Sequence, residues 1–269
     1  MKIVFWAPVH GQTRQSSNML AVALTMAMQK KRRILVTQTH FQLNDFEDAI
    51  AGRSASKEMR EKFYQGIGID AVQRCIKRKP MEENDLENCC IQILSDAELL
   101  LLPGTNSGSY EIHSEALNEM MSLFLREAER YFDCVLIDVC PGRERISRRL
   151  MEEADVVVVN LSQNVGVTDP FFWDFPKELE EKKVFYLIGS YLPDSSYNLH
   201  NLRFRYRKIT RSNSGVIPLN VGYMDAISAG KTVDFFEANK EPEPGDSNYK
   251  FITEVQRVVE RLIRFSGMV

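Results

Sequence analysis

Residues 3–29 read IVFWAPVHGQTRQSSNMLAVALTMAMQ, a short apolar run followed by a polar segment and then a helical pattern. Residues 3–7 predict a buried strand, and His10 to Ser17 predict the turn that follows it. From Asn18 to Gln29 apolar residues recur at intervals of three and four, which predicts a helix. A strand, a polar turn and a helix in this order are typical of the phosphate-binding end of a nucleotide-binding α/β protein.

Further apolar runs are short, continuous and separated by helical segments, which indicates a parallel sheet covered by helices on both faces. We predict strands at 3–7, 34–38, 91–94, 99–102, 134–138, 156–160 and 184–190. Besides the helix at 18–29, we predict helices at 44–65, 69–78, 111–131 and 250–265. The fold class is therefore α/β, a three-layer fold with a twisted, mainly parallel sheet of about seven strands. We expect one domain, residues 1–269, with a linker-like stretch at 237–247.

Composition narrows the class of protein. The 269 residues carry a net charge of −3, which argues against a protein that coats nucleic acid. No apolar run approaches the ~20 residues of a membrane span, and the N-terminus resembles a strand rather than a signal peptide. The five cysteines contain no CxxC pair, so we expect a reduced, cytoplasmic protein without a zinc site.

The turn at residues 10–17, HGQTRQSS, can be aligned with the Walker A pattern K-G-G-x-G-K-T-T. Gly11 matches a glycine, and Ser16 and Ser17 match the two hydroxyl residues. The alternative is an ordinary strand-to-helix turn in which Ser16 or Ser17 caps the helix.

Three later segments extend this match. Residues 132–142, FDCVLIDVCPG, resemble the Walker B strand and turn of the MinD/ParA family, D-x-x-x-I-D-x-x-P-G. Residues 154–160, ADVVVVN, resemble the family's next strand, A-D-x-V-x-x-V. Residues 217–218, IP, followed by 226–233, AISAGKTV, resemble its late I-P…A-x-x-x-G-K-x-V segment. The four blocks occur in the right order over about 230 residues, so the chain resembles the MinD/ParA-like (SIMIBI-class) P-loop ATPases.

A narrower resemblance rests on two short segments, WAPVHGQ at 6–12 and LLPG at 101–104. They are most similar to CpaE/TadZ-like pilus-assembly proteins. This resemblance implies a homodimer that positions a pilus or secretion apparatus. It also implies a cytoplasmic location, with peripheral contact at the inner face of the cell membrane as an open alternative.

The family's charged groups are largely replaced here. His10 and Gln15 stand where the family has lysines, and Gln12 and Arg14 stand where it has glycines. The family's acidic D-x-D after the second strand corresponds to residues 36–42, VTQTHFQ, with Gln38 and His40 at the acidic positions. Phosphoryl transfer depends on positioned cations and a positioned water. The resemblance therefore implies a degenerate Walker A loop and a pseudo-ATPase, with ATP and Mg²⁺ binding weakened or lost.

The candidate nucleotide-binding residues are Gly11, Gln12, Thr13, Arg14, Gln15, Ser16 and Ser17. Ser16 and Asp138 are the candidate magnesium ligands, and Asp138 is the one candidate catalytic residue. Asp138 lies at the C-terminal end of a predicted strand, so it could equally cap a neighbouring turn. Arg14 is a candidate compensating cation. We expect His10 and His40 to be structural, and Cys140 to be an inert thiol.

Two more segments have two interpretations each. Residues 203–211, RFRYRKITR, alternate cations with aromatic rings. They predict either a contact with nucleic acid or anionic membrane, or an amphipathic helix with one solvated face. The apolar stripe of the last helix predicts membrane targeting or packing on the body, and its mixed charges favour packing.

Three functions remain open at this point. The first is a non-hydrolysing or weakly active positioning scaffold, which the replaced lysines favour. The second is an ATP-dependent dimerisation switch that uses backbone amides and Arg14. The third is a DNA-segregation protein that uses residues 203–211, against which the net charge argues.

Overall fold

The computed structural model describes residues 1–30, 32–41, 45–52, 66–77, 80–94, 97–104 and 110–268. Gln42 and the predicted helical residues 44, 53–65 and 78 lie outside this part of the chain. All positions below refer to the described residues.

Eight strands form a single twisted sheet in the order β3-β4-β2-β5-β1-β6-β7-β8. They are β1 (Lys2–Trp6), β2 (Ile34–Gln38), β3 (Ile91–Gln92), β4 (Leu99–Leu102), β5 (Cys134–Asp138), β6 (Val156–Leu161), β7 (Lys183–Tyr191) and β8 (Ser214–Pro218). Neighbouring strands pair in parallel except β3, which is antiparallel to β4. The seven predicted strands are confirmed, although β3 is shorter than predicted.

Strand β8 was not predicted. Its sequence, SGVIP, contains serine, glycine and proline and has no continuous apolar run. Gly215 is needed because a Cβ there would lie 2.6 Å from Cγ2 of Val258. The position of β8 therefore depends on its close contact with α11, which the composition of the strand does not indicate.

Helices cover both faces of the sheet. They are α1 (Gln15–Lys30), α2 (Asp45–Ala51), α3 (Gly68–Ile76), α4 (Glu83–Asn88), α5 (Tyr110–Ala128), α6 (Arg145–Glu153), α7 (Val165–Trp173), α8 (Leu199–Arg205), α9 (Val221–Ala229), α10 (Thr232–Ala238) and α11 (Tyr249–Ser266), with a 3₁₀ turn at Lys177–Leu179. Helices α1 and α11 contribute to the core on one face, and α3, α5 and α6 contribute to the core on the other.

Two helix predictions and the predicted linker were wrong in extent. The helix predicted at 44–65 ends at Ala51, because Gly52 has a φ of +76° and terminates it. The predicted linker at 237–247 begins inside α10. An amphipathic helix over 203–211 is also wrong, because α8 ends at Arg205 and turns follow.

The last helix, α11, packs on the body as predicted. It contacts α1 and β8, and its apolar stripe is buried. The buried side chains of the stripe are Phe251, Ile252, Val255, Val258, Val259 and Leu262. This stripe therefore belongs to the core and does not present an apolar face to a membrane. None of the helices in the described part of the chain has the length and apolar character of a membrane span.

Candidate functional site

The site is built where the central parallel strands end. Register pairs Phe5 of β1 with Asp138 of β5, and Gln38 of β2 with the same Asp138. The carboxyl ends of β1, β2 and β5 therefore meet at one edge of the sheet. The loop at residues 7–14 leaves β1 at this edge and leads into α1. This is the crevice where open parallel sheets bind ligands.

The side-chain amide of Gln15 is enclosed by three acceptors. Its Nε2 lies 2.5 Å from Oδ1 of Asp138, 2.7 Å from the Val139 carbonyl oxygen and 3.0 Å from the Phe5 carbonyl oxygen. Three acceptors around one NH₂ group require the nitrogen rather than the oxygen to point inward. Gln15 thus closes the space between the ends of β1 and β5 from the first turn of α1.

His40 contacts the same carboxylate from the other side. Its Nε2 lies 3.2 Å from Oδ2 of Asp138, and Asp138 is fully buried. The backbone N–H of Thr39 donates to the Asp138 carbonyl oxygen and holds the end of β2 beside β5. The sequence shows no carboxylate near His40, because this contact joins residues 98 positions apart. Asp138 is therefore held between His40 and Gln15.

A second buried carboxylate lies beside this group and was missed by the sequence analysis. Glu47, on α2, accepts from Nε2 of Gln38 at 3.4 Å and from the backbone N–H of Gly104 at 3.0 Å. Glu47 is buried. The acidic stretch of α2, DFEDAIA, signals a polar helix, but it does not indicate which acid turns inward.

The loop keeps a tightly curled backbone. Gly11 and Arg14 have φ angles of +72° and +58°, so Arg14 occupies a left-handed conformation that favours glycine. Nδ2 of Asn18 donates to the Thr13 carbonyl oxygen at 2.9 Å and to Oδ1 of Asn160 at 3.0 Å. The loop is thereby tied to the end of β6.

Strand β7 makes room for this curl. A Cβ at Gly189 would lie 2.4 Å from the Thr13 carbonyl oxygen and 2.6 Å from Nδ2 of Asn18. The next residue, Ser190, has a φ of +46°, and the pairing register of β7 with β8 shifts here. The irregularity in β7 is therefore what lets the loop backbone lie against the strand.

Ser16 and Ser17 lie in the first turn of α1. Helix α1 begins at Gln15, and the Asn18 N–H donates to the Arg14 carbonyl oxygen, so capping by Ser16 or Ser17 is wrong. Both serines line a cavity of about 530 Å³ between α1, α2 and α9, together with Phe46 and Asp48. Asp138 is absent from the described residues that line it.

The remaining predicted residues lie outside this buried group. His10, Gly11 and Gln12 are exposed, while Thr13 is buried. The Arg14 side chain is exposed, with Nη2 3.9 Å from Sδ of Met224 on α9. The cation of Arg14 thus leans toward α9.

Cys140 follows β5 and is tied down there. Its backbone N–H donates to Oγ1 of Thr39 at 3.0 Å, and its Sγ lies 3.5 Å from the Thr39 carbonyl oxygen. Burial raises the pKa of the Cys140 thiol above its ordinary value. A raised pKa reduces the thiolate fraction near neutral pH, which supports the prediction of an inert thiol.

Polar atoms of Asp138, Gln15 and Thr37 lie buried at this edge of the sheet. Oδ1 of Asp138 accepts from Gln15, whereas Oδ2 lies 3.2 Å from Nε2 of His40 and accepts no hydrogen bond within the described part of the chain. Within the described ranges, no group of three or more His, Cys, Asp and Glu side chains could hold a metal ion. The cluster therefore leaves one carboxylate oxygen of Asp138 buried without a hydrogen bond.

Comparisons with known proteins agree with this fold. No protein-family model matches the sequence, and no curated protein matches it significantly. Many solved structures do match. A ParA family ATPase from Chlorobium tepidum TLS has a TM-score of 0.71 at 11% identity, over 95% of this chain and 98% of that one.

Two other matches carry information about ligands or partners. A putative plasmid partition protein from Borrelia burgdorferi, bound to AMPPNP, has a TM-score of 0.62 at 13% identity, over 98% of both chains. MinD in the MinC:MinD cell division complex of Aquifex aeolicus has a TM-score of 0.66 at 14% identity, over 97% of this chain and 96% of that one. At these identities the likeness shows the fold alone. The chain has the mainly parallel α/β fold of the ParA/MinD P-loop NTPases.

Proposed function

We propose that this protein is a pseudo-ATPase with a ParA/MinD-type fold that acts as a positioning scaffold. The observation that carries the proposal is the buried amide of Gln15, which donates to Asp138 from the position of the family's loop lysine. A neutral amide supplies no charge to offset a phosphate, and a single missing donor at a transferring group costs a factor of about 100 to 1,000 in rate. In this arrangement Asp138 is also fully buried, and one of its carboxylate oxygens accepts from Gln15.

The conformation of the loop at residues 10–17 supports a structural role for the segment that aligns with the Walker A pattern. Asn18 donates to the Thr13 carbonyl oxygen, and Gly189 leaves room for this backbone because it has no Cβ. Arg14 occupies a left-handed conformation that favours glycine. Contacts within the protein thus stabilise the loop, as we expect of a scaffold that binds its partners through its surface.

The scaffold role goes beyond the fold. The Aquifex MinD is found in a complex with a protein partner, MinC, which supports a partner-binding role for this chain. The segments WAPVHGQ and LLPG support a pilus or secretion apparatus as that partner. We further propose a homodimer in the cytoplasm, with the apparatus determining its place in the cell.

A genuine ATP switch is the second candidate. The left-handed Gly11 and the exposed cation of Arg14 favour it, because both would serve a phosphate at the N-terminus of α1. The Borrelia partition protein is bound to AMPPNP, which is consistent with such a use of this fold.

One experiment separates the two candidates. Thermal unfolding of the wild type is measured with millimolar ATP and Mg²⁺, beside an Arg14→Gly/Gln15→Lys variant that restores one glycine and one lysine of the Walker A pattern. Ligand at about 100 times its Kd stabilises a fold by roughly 2.7 kcal/mol. We expect no shift for the wild type and a shift for the restored variant.

Phosphate release provides the second readout. We expect wild-type turnover equal to that of a Ser16→Ala/Asp138→Ala variant. Clear wild-type turnover that this variant abolishes would contradict the scaffold proposal. Loss of that turnover in Arg14→Ala would then identify the replacing cation.

A further inference from the structure

Helices α7 and α8 present two aromatic side chains to solvent. Trp173, at the end of α7, is 78% exposed, and Phe204, near the end of α8, is 76% exposed. Large aromatic side chains are usually buried, and neighbouring exposed ones mark interaction sites. We call the surface formed by Trp173, Phe204, Arg205, Arg207 and Lys208 the aromatic–basic face.

Cations on this face are held over aromatic rings. The Arg207 guanidinium lies 5.7 Å from the ring centre of Phe204, and Nζ of Lys208 lies 4.0 Å from that of Phe175. Beneath them, Phe172 stacks on Tyr206 with 4.2 Å between ring centres. Phe172, Phe175 and Tyr206 are buried or half-buried, so Lys208 lies over a packed aromatic base, whereas Phe204 under Arg207 is exposed.

The face carries a net positive charge. Arg205 pairs with Asp169, with nitrogen–oxygen distances of 2.9 and 2.7 Å, so its charge is offset locally. Arg207 and Lys208 are exposed, and no ion pair in the described part of the chain joins either to a carboxylate. Two uncompensated cations therefore flank the exposed indole of Trp173.

The face is also concave. A depression of about 360 Å³ lies between the end of α7 and the turn after α8, and its walls include Trp173, Tyr206 and Arg207. A depression with aromatic walls and a basic rim accepts a protruding side chain. Trp, Tyr and Arg are the residues that most often carry the binding energy of protein interfaces.

Other occupants fit less well. A bilayer surface is flat and would not fill the depression. Single-stranded nucleic acid is bound by positively charged grooves that follow the phosphate backbone, whereas this face has two uncompensated cations beside a small depression. A second copy of the same face would bring like charges together.

We propose that the aromatic–basic face binds an acidic segment of a partner protein, with an aromatic or aliphatic side chain inserted beside Trp173. This inference rests on the proposed scaffold role, for which it supplies the partner-binding surface. The partner's carboxylates pair with Arg207 and Lys208.

A random dodecapeptide library displayed on phage is the probe. It is selected on the wild-type protein and counter-selected on a Trp173→Ala/Arg207→Glu variant. We expect enriched peptides that combine Asp or Glu with Phe, Trp or Leu. Synthetic versions should bind at least about tenfold more weakly to Trp173→Ala and to Arg207→Glu.

Matched controls lie elsewhere on the surface. Val221→Ala removes an exposed apolar side chain, and Lys250→Glu reverses an exposed charge, so both should bind the peptides like the wild type. A peptide with Lys in place of its Asp and Glu should regain affinity for Arg207→Glu.

Three results would overturn the proposal. The first is enrichment of peptides without an acidic bias. The second is equal binding of the peptides to the wild type, Trp173→Ala and Arg207→Glu. The third is no enrichment on the wild type over the Trp173→Ala/Arg207→Glu variant. Binding of phosphatidylglycerol vesicles or single-stranded oligonucleotides that depends on Trp173 and Arg207 would also overturn it. Nucleotide plays no part in these measurements, so the peptide result and the ATP result can fail separately.

Discussion

Gln15 reaches across the first turn of α1 and donates its side-chain amide to Asp138, 123 positions away in the sequence. The same amide faces the carbonyl oxygens of Phe5 and Val139. One neutral side chain thereby links the ends of β1 and β5 to the start of α1. In the family that the sequence resembles, this position belongs to a lysine, so a stabilising contact now stands where a phosphate contact is expected.

Replacement of Gln15 tests that link. Gln15→Met keeps the length but leaves three buried acceptors without their donor, which costs about 1–3 kcal/mol of unfolding free energy. Gln15→Glu brings a second carboxylate against Asp138, and we expect it to cost more than Gln15→Met. Urea unfolding monitored by circular dichroism measures both. Gln12→Glu, an exposed change in the same loop, should stay within about 0.5 kcal/mol of the wild type. Equal stabilities of Gln15→Glu and Gln12→Glu would show that the link is absent in solution.

The contact between His40 and Asp138 predicts energetic coupling. Asp138→Ala, His40→Ala and the double variant form a double-mutant cycle. Residues in contact couple by about 0.5–3 kcal/mol, so the loss on removing His40 should be smaller when Asp138 is already absent. Unfolding free energies from urea titrations with a shared m-value give the coupling. Additivity within about 0.3 kcal/mol would mean that the two side chains do not interact.

Gly189 predicts a steric effect on the loop. In Gly189→Ala the new methyl would lie 2.4 Å from the Thr13 carbonyl oxygen, so the loop or β7 must move. We expect a loss of about 1–3 kcal/mol together with faster hydrogen exchange in residues 11–18. Gly11→Ala is the matched control, because its methyl meets no atom within 4 Å and only the left-handed φ opposes it. Slow exchange in Gly189→Ala would contradict the close approach.

Asp169 predicts a pH dependence of stability. Hydrogen bonds from Arg205, and then from Tyr206, hold the pKa of Asp169 below its ordinary value. A lowered folded-state pKa contributes stability above the unfolded pKa, near 3.9, and the contribution is lost as pH falls toward the folded value. Thermal midpoints of the wild type and Asp169→Asn should therefore differ by a constant amount from pH 7 to about pH 5 and converge below about pH 4. Asp174→Asn, which removes an exposed ion pair with Arg143, should change the midpoint little. A gap that widens with acid would contradict the assignment.

Much of the fold could be predicted because a parallel strand that is covered on both faces has a continuous apolar sequence. Strands β1, β5 and β6 are such runs, and their order with the intervening helices indicates a doubly covered sheet. Strand β8 escaped prediction because Gly215 and Pro218 break its apolar pattern, and its place depends on the approach of α11. The boundary at Gly52 was also missed, because the polar pattern on either side of it does not change.

The sequence by itself determined the location of the site, since the loop at residues 10–17 follows the first buried strand and precedes the first helix. It also determined which charges are missing there, because the alignment with the Walker A pattern shows Gln15 at a lysine position. Only the tertiary structure decided what those residues do. His40 contacts Asp138 because β2 and β5 pair in register, and Gln15 reaches the same carboxylate because α1 begins at Gln15, beside the end of β5. Such contacts depend on strand register and helix phase, which are set by the packing of the whole sheet and not by neighbouring residues.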